Sequence, residues 1–288
     1  MDNQPEEKQM NTAFLAAKKT QRIPDGIPDH ESADSSTLQD NSAIAAISHP
    51  GFYRTANEDC YGYHISRDGQ IRLLAVADGI GGHSNGDRAS KLLIRDILTF
   101  WRKICDSFSP GREEEIIDRL KQELLHINNK IYAINVATGI KVSMGSTLAL
   151  LLLLPGKAVT FHAGDSRIYR FRNETLMPLT EDHSYITEFL KTGTLTKEKA
   201  HEHPLAHVIL RAIGTTADSE VEVNCYDLES GDIFLVCSDG LTEHLLDDQI
   251  RDFMLKHDSP HSIAKELLQK TFCNGAHDNV TILCTKYS

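Results

Sequence analysis

The sequence has no long apolar run. The longest, Leu148 to Leu154, is far too short to cross a bilayer, and the opening residues MDNQPEEKQM hold no continuous apolar stretch of the signal-peptide kind. Neither a signal peptide nor a transmembrane helix is expected. Positive charge is also in deficit: 30 Lys and Arg face 41 Asp and Glu, a formal net charge of -11. That balance disfavours loose binding to nucleic acid or to an anionic membrane, and it would suit carboxylates gathered around cations. The six cysteines, Cys60, Cys105, Cys225, Cys237, Cys273 and Cys284, form no C-x-x-C pair and no zinc-like spacing. A reduced, cytoplasmic protein is expected. No internal repeat is present.

The 288 residues, 40% of them hydrophobic, suffice for one substantial core. Residues 1–43 are polar, rich in Asp, Glu, Ser, Gln and Pro, and hold too little apolar surface to offset the entropy of ordering; they read as a disordered tail. Its one apolar patch, Ala13 to Ala17 followed by Lys18 and Lys19, reads as a transient turn. Residues 44–288 read as one folded domain.

Within that domain strands and helices alternate. Strands are expected at Ile44 to Ser48, Asp59 to Ile65 and Ile71 to Asp78, with turns at His49-Pro50-Gly51 and Arg67-Asp68-Gly69. Two helices follow on apolar spacings of three and four, one through Ala89, Leu92, Leu93 and Ile97, the other through Ile117, Leu120, Leu124, Ile127 and Ile131. Strands resume at Thr147 to Leu154, Ala158 to Ala163, Arg167 to Phe171, Val221 to Asp227, Ile233 to Ser238 and Val280 to Thr285. Helices are expected at Asp247 to Lys256 and Ser262 to Phe272, and residues 180–216 read as less regular.

Four acidic motifs stand at expected strand ends or tight turns: Asn57-Glu58-Asp59, Asp78-Gly79-Ile80-Gly81-Gly82-His83, Ser238-Asp239-Gly240 and His277-Asp278-Asn279. Singly, each Asp-Gly reads as an ordinary turn. Together they point to a metal site, because a carboxylate at the end of a buried strand ionises only where cations, donors or water meet it. Oxygen ligands alone favour magnesium or manganese over zinc. His201, His203 and His207 invite a zinc reading, but no cysteine accompanies them and a metal role there is not expected.

In order along the chain, Gly51-x-x-Arg54-x-x-Asn57-Glu58-Asp59, Asp78-Gly79-x-Gly81-Gly82-His83, Gly145-Ser146-Thr147, Gly164-Asp165-Ser166-Arg167, Leu179-Thr180-x-Asp182-His183-Ser184, Arg211-Ala212-x-Gly214, Ser238-Asp239-Gly240-Leu241 and Asp278-Asn279-x-Thr281 resemble the motifs of the metal-dependent protein phosphatases of the protein phosphatase 2C type. Compact bacterial members are resembled most. The likeness runs from about Ile44 to Cys284.

The resemblance implies an α+β fold, a four-layer α-β-β-α sandwich of two antiparallel sheets flanked by helices. It implies two or three manganese or magnesium ions per chain, the first two bridged by Asp78 with Asp59, the Gly79 carbonyl, Asp239 and Asp278 contributing, and a third held by Asp165 with Asp239. Glu58 is at most an outer ligand, and Arg54 matches the phosphate-binding arginine. The implied reaction is hydrolysis of phosphoserine and phosphothreonine in proteins by in-line attack of a water bridging the cations, opposing a Ser/Thr kinase and its substrates. A cysteine mechanism is excluded, since no cysteine has arginine at the C-x5-R spacing.

Many eukaryotic relatives place a histidine after the Asp-Gly as general acid; Ile80 stands there, so the acid is unassigned, with a cation-bound water first and His83 second. Residues 182–211 match the family's substrate-dependent flap, with Thr180, Asp182 and His183 as structural residues at its base. A monomer is expected. Two other functions stay open: a non-catalytic phosphoprotein-binding module of the same fold, against which every core aspartate argues, and a phosphatase of a small phosphorylated molecule.

Overall fold

The computed structural model describes residues 43–81, 85–105, 111–139, 144–196, 203–205 and 208–288. The expected tail up to residue 42, Gly82, His83, His201 and His207 lie outside the described residues. In chain order the elements begin with β1 (Ile44–His49), β2 (Asp59–Ile65), β3 (Arg72–Ile80), α1 (Asn85–Ile104) and α2 (Glu113–Thr138). A run of strands follows: β4 (Gly145–Ser146), β5 (Leu148–Leu154), β6 (Lys157–Ala163), β7 (Arg167–Arg172) and β8 (Thr175–Pro178). The chain closes with α3 (Tyr185–Lys191), β9 (Glu222–Asp227), β10 (Ile233–Cys237), α4 (Asp239–Thr242), α5 (Asp247–Lys256), α6 (Pro260–Cys273) and β11 (Val280–Lys286).

Strand β5 is apolar at every position because both of its faces are covered. Leu148, Leu150, Leu152 and Leu154 point to one side, into a core shared with Leu93, Ile97 and Trp101 of α1 and Leu120, Leu124 and Ile127 of α2. Ala149, Leu151 and Leu153 point to the other, against Phe234 and Val236 of β10 and Leu283 of β11. β10 repeats the device: Ile233, Leu235 and Cys237 turn outward to Ile250 and Met254 of α5 and Ile263 and Leu267 of α6. The period of two along each strand thus builds three apolar planes between four layers, helices, sheet, sheet, helices. The expected sandwich is present.

One sheet has the order β2-β3-β5-β6-β9 with β4 paired to β3; the other runs β1-β11-β10-β7-β8, and all named pairings are antiparallel. Most expected elements appear within one or two residues. β5 starts at Leu148 rather than Thr147, because the Thr147 N–H turns to Asp78 O at 2.8 Å and breaks the strand from β4. β10 ends at Cys237 because Ser238 is already the N-cap of α4. Helix α3, in the segment read as less regular, starts where Ser184 Oγ accepts the Thr187 N–H at 3.2 Å.

Candidate active site

The acidic motifs lie where strands of both sheets end on the same edge. Antiparallel pairing makes Asp59, at the start of β2, the Cα partner of Asp78 near the end of β3. In the other sheet, Asp239 follows β10 and Asp278 precedes β11, two neighbouring antiparallel strands. Ser238 joins the two halves: its Oγ donates to Asp59 Oδ2 at 2.7 Å and accepts the Thr281 N–H at 2.9 Å.

Asp78 is fixed through its backbone. The Asp78 N–H donates to Thr147 Oγ1 at 2.9 Å, and Asp78 O accepts from the Thr147 N–H at 2.8 Å and from Ser146 Oγ at 3.0 Å. Thr147 Oγ1 also shares a 2.7 Å hydrogen bond with Ser166 Oγ, next to Asp165 in the β6–β7 turn. Gly79 and Gly86 bring β3 and the first turn of α1 into backbone contact: a Cβ on Gly79 would stand 2.2 Å from Gly86 O, and one on Gly86 2.6 Å from Gly79 O.

The loop after β1 is drawn in by Asn279. Its Oδ1 accepts the Glu58 N–H at 2.8 Å, and its Nδ2 donates to Pro50 O and Ala56 O, both at 3.0 Å. Glu58 O accepts from Gly79 N–H at 3.1 Å and from Ser90 Oγ at 2.6 Å. Arg54, carried by the same loop, places Nη2 2.6 Å from Asp278 Oδ2 with half of its side chain exposed.

Crowding of like charge sets the electrostatics. Asp59 is buried; Asp78, Asp165, Asp239 and Asp278 open to solvent on one side only. Desolvation is the largest cause holding the Asp78 carboxyl well above its ordinary range, followed by the charges of Asp59, Asp239, Asp165 and Asp278. Asp239 is likewise raised by desolvation, then by Asp165, Glu243, Asp278 and Asp59. Desolvation and then Asp182 push Asp165 up to about 7. Asp59 is pushed up to about 6, by burial against the opposing hydrogen bonds from Ser238 and Thr281. Asp59 Oδ1 and Asp239 Oδ1 are buried and have no hydrogen-bond partner among the described residues.

Arg54, Asp59, Asp78, Asp165, Asp239 and Asp278 therefore form one electrostatic cluster, with the Gly79 backbone beside it. The cluster fits hard cations: its donors are all oxygen, two of its buried oxygens lack partners among the described residues, and its charges oppose joint ionisation.

Glu243 is a member that the motifs do not mark. It lies one helical turn after Asp239 and acts on both Asp239 and Asp165; the i,i+4 spacing was its only signal. Where residues 182–211 begin, Arg167 forks onto Asp182 with two 2.7 Å hydrogen bonds, and Thr180 Oγ1 accepts the Ile168 N–H at 3.0 Å. His183 meets Gly164 and Glu222. His203 instead accepts the Leu205 N–H on Nδ1 at 3.2 Å.

Residues 54–270 match the family model described as protein phosphatase 2C. The serine/threonine phosphatase stp of Listeria welshimeri is 34% identical over 233 residues, which cover 81% of this chain and 91% of the relative. The solved structure of the S. agalactiae serine/threonine phosphatase superposes with a TM-score of 0.77 at 29% identity, covering 85% of this chain and 99% of that one. The catalytic domain of the serine/threonine protein phosphatase PstP, solved in complex with 2 manganese ions, does so with a TM-score of 0.72 at 30% identity, covering 85% and 98%. With the family's fold present and its acidic motifs gathered on one edge of the two sheets, the chain belongs to the protein phosphatase 2C family.

Proposed function

We propose that the chain is a metal-dependent protein phosphatase that hydrolyses phosphoserine and phosphothreonine, and that it reverses the action of a Ser/Thr kinase in the cytoplasm. The observation that carries the reading is the meeting of Asp59, Asp78, Asp239 and Asp278, from two sheets, around two partnerless buried oxygens. Family membership and the serine/threonine phosphatases among the relatives support it, as do six free cysteines and the lack, among the described residues, of a helix able to cross a membrane.

Asp59, Asp78, the Gly79 carbonyl, Asp239 and Asp278 would hold two manganese or magnesium ions, with Asp165 and Asp239 at a third and Glu58 no nearer than an outer position. When bound, such ions lower the pKa of water towards neutrality and offset charge on phosphoryl oxygens. The residues around them orient and bind. Ser238 fixes one Asp59 oxygen and leaves Oδ1 for a ligand. Thr147 and Ser146 fix the Asp78 backbone at both its N–H and its carbonyl. Arg54 presents a planar fork that suits two phosphate oxygens at once, and it reaches the electrostatic neighbourhood of Asp78 as well as Asp278. Ile80 has no proton to give, so proton delivery to the leaving serine or threonine oxygen falls to water or to another side chain.

Purified protein incubated with phosphopeptides bearing phosphoserine, phosphothreonine or phosphotyrosine, in manganese, magnesium or chelator, tests the proposal. Hydrolysis of the first two in the presence of metal is expected. Asp78→Asn and Asp239→Asn should abolish it while leaving the circular dichroism spectrum unchanged. Full activity in either variant, or in chelator, would overturn the assignment.

A further inference from the structure

His162, His183 and Glu222 come from three separate segments and meet beside the turn that carries Asp165. The register of β6 on β9 makes His162 and Glu222 Cα partners. Two hydrogen bonds to Gly164 bring His183 over them: the His183 N–H donates to Gly164 O at 2.8 Å, and the Gly164 N–H donates to His183 Nδ1 at 3.2 Å. The imidazole centroids are 4.7 Å apart, and His183 Nε2 stands 3.0 Å from Glu222 Oε2. One ligand atom from each of the three lies within 4.8 Å of the other two, a spacing that no other trio of His, Cys, Asp or Glu attains among the described residues.

Hydrogen-bond accounting shows what the cluster lacks. His162 is 1% exposed, and its Nε2 meets Ser166 O at 2.9 Å, which fixes the hydrogen on Nε2 and a lone pair on Nδ1. That Nδ1 is buried with no partner among the described residues. A ring whose far N–H is tied to a backbone carbonyl, with its other nitrogen bare, is the arrangement that prepares a histidine for a metal. Burial, then the neighbouring His183, also brings the His162 pKa down to about 4, so the ring is neutral as a ligand must be.

We propose that His162 Nδ1, His183 and Glu222 bind a divalent cation of the zinc class, at a site separate from the carboxylate centre. Two imidazoles and one carboxylate suit zinc and leave a fourth position for water, whereas the all-oxygen centre suits magnesium and manganese. Entry is from the Glu222 side, whose side chain is 38% exposed. The ligands must close by on the order of 1 Å to reach zinc–nitrogen distances of about 2.0–2.1 Å.

Binding is coupled to the turn holding Asp165. Because His183 Nδ1 accepts from Gly164, the His183 hydrogen sits on Nε2, facing Glu222. A metal on Nε2 moves that hydrogen to Nδ1, where it meets the Gly164 N–H donor to donor. Gly164 then loses its acceptor, which ties the site to the turn through Asp165 and Ser166.

The full-length protein, saturated with magnesium to fill the carboxylate centre, is titrated with cobalt as a spectroscopic stand-in for zinc and, separately, loaded with zinc, dialysed and assayed for metal content. One cobalt per chain with the intense visible absorption of four-coordinate nitrogen ligation is expected, and one zinc retained. Both should persist in Asp239→Asn and weaken at least about tenfold in Glu222→Gln and His162→Gln. The wild-type spectrum needs no variant to fold. A weak, six-coordinate cobalt spectrum, loss of the site in Asp239→Asn, or unchanged affinity in folded Glu222→Gln would overturn the proposal.

Discussion

Arg54 Nη2 lies 2.6 Å from Asp278 Oδ2, so the side chain suited to phosphate is paired with a carboxylate suited to a cation. The hydrogen bond to Asp278 is the largest cause raising the Arg54 pKa, and the charges of Glu58 and Asp78 add to it. A cation on Asp278 weakens that grip, and a phosphate arriving beside the cation offers the guanidinium a second partner of the same sign. Metal and phosphate binding are thereby expected to favour each other.

Arg54→Ala should lower kcat/KM for p-nitrophenyl phosphate by about 10- to 150-fold, the equivalent of one charge-assisted hydrogen-bonding group worth about 1.5–3 kcal/mol. Arg54→Lys keeps the charge but not the fork and should fall between the two. Steady-state kinetics at saturating manganese decide; an Arg54→Ala enzyme with wild-type kcat/KM contradicts the phosphate role.

The carboxylate cluster makes the benefit of metal depend on pH. Asp59 at about 6 and Asp165 at about 7 both stand above the ordinary 3.8, so between about pH 4 and 7 the metal-free native state holds more protons than the unfolded chain. With more protons bound in the native state, stability without metal falls as pH rises through that window. Cations reverse the sign, because they bind the ionised form. The gap between the melting temperature in manganese and in chelator should therefore widen steadily from about pH 5 to 7.5. Thermal scans in paired buffers test this, and a constant gap refutes it.

Elements that bury a stripe were legible in the sequence. β5 shows seven apolar residues because both its faces are covered, and α1 and α2 show three-and-four spacings because one face packs. Helix α3 buries no residue, so it leaves no stripe to read. β8 follows a turn at Asn173 and Glu174, both at positive φ, and a left-handed glutamate is no turn signal. The α6 start was written in Ser259-Pro260, an N-cap before a proline, yet the apolar pattern places it two residues late. In the site, aspartates marked by adjoining Gly or Asn stood out. Glu243 had no such marker, and His162, His183 and Glu222 become neighbours only through the β6–β9 register and the hydrogen bonds of His183 to Gly164.

Two glycines separate crowding from backbone strain. A Cβ on Gly240 would stand 2.0 Å from Asn279 O, a backbone atom that cannot move without disturbing Asp278. Gly69 has φ +73 but nothing within 4 Å of an added Cβ. Gly240→Ala should cost about 2–3 kcal/mol or more in urea unfolding and remove activity, whereas Gly69→Ala should cost about 1–2 kcal/mol and leave kcat/KM unchanged. Equal costs, or an active Gly240→Ala, would show that the α4 start does not depend on that close approach.

The Thr147 hydroxyl takes the Asp78 N–H at 2.9 Å and meets Ser166 Oγ at 2.7 Å, so it acts on the site by positioning Asp78. Thr147→Val keeps the shape and leaves a buried donor unmet, at about 1–3 kcal/mol in stability. Because the displaced group is Asp78, the apparent manganese affinity should also fall, by about 10- to 100-fold. Thr147→Ser restores the hydroxyl and should recover most of that affinity, which a role in packing alone would not explain, since serine lacks the methyl that valine retains. Manganese titrations of activity on the three proteins decide it: metal affinity that tracks the methyl rather than the hydroxyl would remove Thr147 from the positioning of Asp78.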